Sequence, residues 1–168
     1  MLNSQPLGFF SPSQLVQDAK RHGVEVRPAD VMHSDVDCTL EDLGPQLAVR
    51  LGLRLLHKLK SGSAERIVAR RADRVFDSAK DLARRAQLEQ HEMTLLAGAD
   101  ALISLSGHRR QQGWDASALR APPALLRDAS FDEEIMERSA APEGEEVVFD
   151  YAAKGLPLRR HPLALLKP

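Results

Sequence analysis

Leu47, Val49, Leu51, Leu53 and Leu55 alternate without a break with Ala48, Arg50, Gly52 and Arg54. That period of two predicts an extended segment over 46–55 with one buried apolar face and one basic face. From Ser61 to about Trp114 the apolar positions follow a helical period instead, predicting helices near 63–71, 78–86, 89–98 and 107–117 joined by short turns. Asp77 or Ser78 is placed to cap the second of these, and Gly107 stands at the start of the last. A chain that changes period in this way is restricted to an α+β architecture, mainly α.

Upstream of the alternation, Ser11-Pro12-Ser13-Gln14 carries the elements of a helix start: a capping serine, proline in the first turn, and a glutamine that completes a capping box. Gly23 ends that helix, with Lys20, Arg21 and His22 in its last turn, where cations suit the dipole. Val24-Glu25-Val26-Arg27 reads as a short strand closed by Pro28, and a second short strand is expected near Cys38–Leu40. The N-terminal segment is therefore small and β-containing. Downstream, Pro122-Pro123, acidic residues and SAAPEGEE make residues 119–147 a flexible linker, with a brief helix around 131–138. The terminal stretch 148–168 regains apolar content, with Asp150 as cap of a short helix that Gly155 terminates and a second helix after Pro162. No internal repeat is strong enough to assign from the sequence.

Charge separates along the chain. Residues 1–44 carry three Lys/Arg against seven Asp/Glu, residues 45–115 thirteen against eight, and residues 116–168 seven against nine. A basic middle between acidic flanks suits a polyanion partner, or else a solvated helical surface with no partner. No long uncharged apolar run suits a membrane span, the first residues lack the basic leader of a secretory signal, and the single Cys38 excludes an internal disulfide. The expected location is cytoplasmic, with no membrane contact.

The residues that could carry chemistry are few. The six histidines include no pair at helical spacing and no HExxH, so no metal site is expected. His33, Asp35 and Asp37 could form a divalent-metal or acid/base cluster, or a polar turn between strands. There is no GxSxG, phosphate-binding loop or dinucleotide fingerprint, and no catalytic residue is assigned. The run from Leu56 to Val68, LHKLKSGSAERIV, has the outline of a helix-hairpin-helix: an apolar-centred hairpin, then a helix with small and aliphatic packing residues. Such a hairpin points amide N–H groups and a helix N-terminus at a DNA phosphate, reads no base, and binds in a salt-sensitive way. The alternative is an ordinary turn between packed helices.

Three blocks in order, LNSQPLGFFSPSQLVQDAKRHGVEVRPADVMHSDVDCTLE, ADALISLSGHRRQQGW and GLPLRRHPLALL, resemble bacterial error-prone DNA polymerase III alpha subunits, a C-family DNA polymerase group. The resemblance runs from Leu2 to Leu166. It implies that residues 1–44 are the end of a fingers region, that 45–118 form a tandem helix-hairpin-helix unit holding duplex DNA behind the primer end, and that 148–168 lead into an oligonucleotide-binding barrel. It implies damage-induced translesion synthesis, with primer–template DNA and accessory proteins of the translesion complex as partners. The magnesium-dependent polymerising carboxylates of such proteins lie upstream, so this chain is not expected to be catalytic alone and has no cofactor of its own. Lys58, Lys60, Ser61, Gly62, Arg66, Arg70 and Arg71 are the expected DNA contacts around the first hairpin, with Arg109 and Arg110 adding contacts from the last helix. The sequence departs from the pattern at Lys58, Lys60 and Gln87, where glycine is usual, and at Met32 and Val36 in place of Asn and Trp. Side chains at the hairpin positions impede close backbone approach, and the two lysines offer charge-based contact instead. Arg70, Arg71, Arg84 and Arg85 could alternatively pair with Asp73, Asp81 and Glu89, and exposed pairs of that kind contribute about 0–1 kcal/mol. Two other functions remain open at this level: a protein-interaction module, or a truncated remnant with unpaired strand edges.

Overall fold

The computed structural model describes residues 1–4, 9–42, 47–118, 139–156 and 158–159. Helix α1 (Pro12–Arg21) starts as its capping box requires: the Gln14 N–H donates to Ser11 Oγ at 3.3 Å and the Ser11 N–H to Gln14 Oε1 at 2.9 Å. It buries Val16 and closes where the Val24 N–H reaches back to the Ala19 carbonyl. Three short strands follow, β1 (Glu25–Arg27), β2 (Thr39–Asp42) and β3 (Leu47–Arg50), in the order β1-β3-β2. The central strand β3 runs parallel to β1, with Val26 opposite Val49, and antiparallel to β2, with Leu40 also opposite Val49.

The extended segment over 46–55 is shorter than its alternation predicts, and within β3 the predicted phase is inverted. Leu47 is exposed, while Ala48 and Arg50 are buried. Arg50 tolerates burial because its guanidinium is fully engaged: Nε and one terminal nitrogen donate to Glu41 at 2.7 and 3.0 Å, and the other donates to the Pro28 carbonyl. Beyond Arg50 the chain leaves the sheet. A Cβ on Gly52 would lie 2.4 Å from the Asp37 carbonyl carbon, so only glycine passes this close to the 36–38 backbone. Leu53–Leu55 then form a 3₁₀ turn rather than a strand, and Leu51 and Leu53 enter the core.

The helical part is close to expectation. It comprises α2 (Ser61–Asp73), α3 (Ala79–Arg85), α4 (Gln90–Gly98), the single turn α5 (Ile103–Ser106) and α6 (Arg109–Ala118). Ser78 caps α3, accepting from the Asp81 N–H, and Gly107 closes α5 rather than opening α6. Leu53, Ile67, Leu82, Met93, Leu96 and Leu102 form the centre of one apolar core that also takes in Val16 and Val31 from the N-terminal segment. Helix α7 (Glu143–Lys154) begins inside the stretch read as a spacer. Gly155 terminates it as expected, but Asp150 is not its cap; this carboxylate lies mid-helix, buried against α6. The helices expected near 131–138 and after Pro162 lie outside the described residues. Among those that are described, no helix is long and apolar enough to cross a membrane.

Candidate nucleic-acid interface

Leu56 and Leu59 anchor the first hairpin in the core, leaving His57, Lys58 and Lys60 on the outside. Lys58 takes φ +65°, the left-handed conformation that favours glycine, so its side chain occupies a glycine-like backbone site. Lys60 is the N-cap of α2 and supplies no side-chain cap. Its carbonyl accepts from the Ser63 and Ala64 N–H groups at 3.0 and 3.2 Å. The N–H groups of Lys60, Ser61 and Gly62 meet no acceptor among the described residues, as the open end of a helix leaves them. The first turn of α2 contains no acidic residue, and Gly62 adds no bulk in front of it. Amides without a described acceptor, the positive end of a 13-residue helix and two exposed lysines are thus within a few residues of one another, a combination chemically suited to a phosphate.

A second hairpin repeats the first 29 residues later: Gln87-Leu88-Glu89 stands to α4 as Lys58-Leu59-Lys60 stands to α2. Gln87 is again left-handed, at φ +51°. Ser63, Ala64 and Ile67 are matched in burial by Glu92, Met93 and Leu96. The chemistry is nevertheless different. The Glu89 N–H donates to its own helix's Glu92 carboxylate at 2.9 Å, and the Ser63 hydroxyl donates to the same carboxylate across the two hairpins. Burial on its own would raise the Glu92 carboxyl, but the hydrogen bonds from Ser63 and the Glu89 N–H, with the Arg66 charge, hold it below its ordinary value. At α4 the amide equivalent to that of Lys60 is thus already satisfied by a carboxylate of the protein.

The other predicted site residues are placed as follows. Arg66 spans the hairpins: its Nε donates to the Ala86 carbonyl at 2.7 Å and a terminal nitrogen to Ser63 Oγ at 3.1 Å. Arg70 is exposed and paired with Asp73 at 3.4 Å, about 14 Å along α2 from the open amides. Arg71 is not presented to a ligand. It is fixed against the N-terminal segment, donating to the Val31 and Ser34 carbonyls at 2.9 and 2.7 Å and to Asp35 at 3.0 Å. Arg109 is only 5% exposed, bonded to Asp150 and to the Glu146 carbonyl, and Arg110 pairs with Glu145 at 2.8 Å. So Lys58, Lys60, Ser61 and Gly62 lie together at the start of α2, Arg66 ties Ser63 to the second hairpin, and Arg71 and Arg109 make internal contacts. The sequence signal for the bracing was the 29-residue repeat, masked because a serine faces a glutamate at the equivalent position.

His33, Asp35 and Asp37 do not form a metal cluster: they lie along a turn, with Asp35 on Arg71 and Asp37 on Arg54 at 3.1 Å. The buried carboxylates Asp100, Glu146 and Asp150 alternate with Arg109, Lys154 and Arg159, a neutralised set that does not fit magnesium.

The family model described as a helix-hairpin-helix motif matches residues 23–112. The chain is 51% identical to the error-prone DNA polymerase of Aromatoleum aromaticum, over 99% of this chain and 16% of that protein. It is 49% identical to that of Ralstonia nicotianae, over 100% of this chain and 16% of the relative. It is 46% identical to that of Methylococcus capsulatus, over 99% of this chain and 18% of the relative. The chain thus spans under a fifth of the length of the curated relatives it matches.

Proposed function

Since the chain belongs to the helix-hairpin-helix family and is a homologue of part of the error-prone DNA polymerases, we propose that it is the segment that holds primer–template duplex by its phosphate backbone, without catalysing nucleotidyl transfer itself. The observation that carries this reading is the uncapped, acid-free N-terminus of α2 at Ser61, directly after Lys58 and Lys60. The first hairpin makes the contact. The second, sealed by Glu92, supports it through Ser63 and Arg66. Such a contact reads no base, which suits a polymerase segment that must hold any sequence, including damaged template. Polymerisation with magnesium, and the accessory proteins of translesion synthesis, belong in this reading to the whole polymerase.

The test is titration of a fluorescent primer–template duplex with the 168-residue chain across a salt series. Affinity should fall steeply with salt, and the pair K58E/K60E should remove most of it and flatten the salt slope by at least about 0.9 per lost phosphate contact. Salt-independent binding, or binding that survives the charge reversal, would sink the proposal.

A second reading, a docking surface for another protein of the complex, is favoured by the apolar side chains that α7 leaves outside: Val148, Phe149 and Tyr151. Capture of a partner that persists in high salt and after nuclease treatment would support it.

A further inference from the structure

The hairpin that offers its amides to phosphate is not supported by the helix-hairpin-helix unit alone. The His57 N–H, in the middle of that hairpin, donates to the Ala153 carbonyl in the last turn of α7 at 2.9 Å. The His57 ring lies over Gly155, the residue that ends α7: a Cβ there would sit 3.1 Å from Cε1 and 3.3 Å from Nε2. Gly155 itself takes φ +68°. The next residue, Leu156, is fully buried in the core shared with the hairpin's Leu56. The last turn of α7 and its exit therefore form the wall against which the 56–60 backbone is set.

What holds the body of α7 is charge more than apolar burial. Of α7's buried residues only Val147 is apolar; the others are Glu146, Asp150 and Lys154. Asp150 receives Arg109 and Lys154, the latter at 3.1 Å. Arg159 reaches back to Asp100 at 3.0 Å and to Glu146 at 3.0 Å. Lys20 of α1 donates to the Leu158 carbonyl at 2.6 Å. A neutral network of three acids and three bases thus locks α7 onto α6 and the turn after α4, and through Ala153 and Gly155 it sets the hairpin.

We infer that α7 is a positioning element for the phosphate-binding hairpin, with Gly155 and Asp150 as its positioning residues, so that docking of α7 governs whether the amides at Lys60–Gly62 are aligned. This rests on the phosphate-binding reading. Whatever moves α7, including the chain it connects to, is thereby coupled to the grip on DNA. No other backbone hydrogen bond among the described residues ties the 56–60 hairpin to a distant part of the sequence.

The experiment compares the full chain with its Gly155→Ala and Asp150→Asn variants by amide hydrogen exchange without DNA, and by primer–template binding. Forcing a left-handed alanine beside the His57 ring should speed exchange at His57 about tenfold and weaken binding about tenfold, while the α2 interior at Ile67 keeps its protection. Asp150→Asn should loosen the same amides together with those of α7; Gly155→Ala, the milder change, decides the matter if that variant does not fold. A general loss of stability would instead speed exchange at Ile67 as much as at His57. Unchanged exchange at His57, or exchange at Ile67 accelerated as much as at His57, overturns the inference. If the unmodified chain binds no DNA, the phosphate-binding reading fails separately, and exchange at His57 still decides whether α7 sets the hairpin.

Discussion

Individual arginines in this chain look alike in sequence and differ entirely in role. Arg71 and Arg109 stand in basic pairs, Arg70-Arg71 and Arg109-Arg110, in which one member is internal and the other is outside. The difference is set by what the neighbouring element offers. Arg71 meets two free carbonyls of the 31–34 turn, and Arg109 meets the carboxylate of a helix 41 residues away. Breaking a buried pair leaves its partner charged and dry, so Arg109→Met should destabilise the fold by about 3–5 kcal/mol, seen as a lowered denaturant midpoint. Arg110→Met, which breaks only a half-exposed pair, should cost less than about 1 kcal/mol. Equal effects would show that the buried network is not an anchor.

At the scale of elements, two copies of one hairpin have diverged at the residue that decides anion binding. Both retain the left-handed turn at Lys58 and Gln87, although neither is glycine, because the geometry is enforced by the leucine that follows and the helices on each side. They differ in the charge placed at the following helix. Glu89 is exposed at the start of α4, so E89K should relieve repulsion there and, if the duplex lies along both hairpins, add up to one phosphate contact. The expected readout is a steeper salt dependence of duplex binding, by about 0.9 in the log–log slope. An unchanged slope would mean that DNA touches the first hairpin alone.

For the whole molecule, the linkage between acid pH and stability follows from several carboxylates held in arginine networks. Hydrogen bonds from Arg84 lower the Asp81 carboxyl, and those from Arg50 lower Glu41. Burial opposes the same shift at Asp150, yet Lys154 and Arg109 outweigh it. Each of these groups is therefore more acidic folded than unfolded. Between the two values the unfolded chain binds more protons, so the stabilisation is complete above the unfolded values near pH ~4 and is lost as pH falls through the folded ones. Denaturant midpoints should hold from pH 7 to about 5 and drop steeply below about 4. Midpoints that stay level down to pH 3 would contradict the network's contribution.

The starts of α1 and α3 and the end of α7 were legible in the sequence by itself, because capping is local: Ser11 with Gln14, Ser78 and Gly155 each act within one turn of their own helix. Gly107 and Asp150 were not, since Gly107 closes α5 rather than opening α6 and Asp150 lies mid-helix rather than at a cap. The outline of the hairpin was legible in the run Leu56–Val68, and the family in the three ordered blocks on either side of it. The sequence could not fix which side of β3 faces inward. That phase was decided by Glu41 arriving from β2 to neutralise Arg50, and by the 36–38 backbone crossing Gly52. Nor could it separate Arg109 from Arg110, or join His57 to Ala153, because those outcomes rest on contacts between residues 35 to 96 positions apart. A charge's worth depends on whether an opposite charge meets it out of water, and only the tertiary structure decides which groups meet.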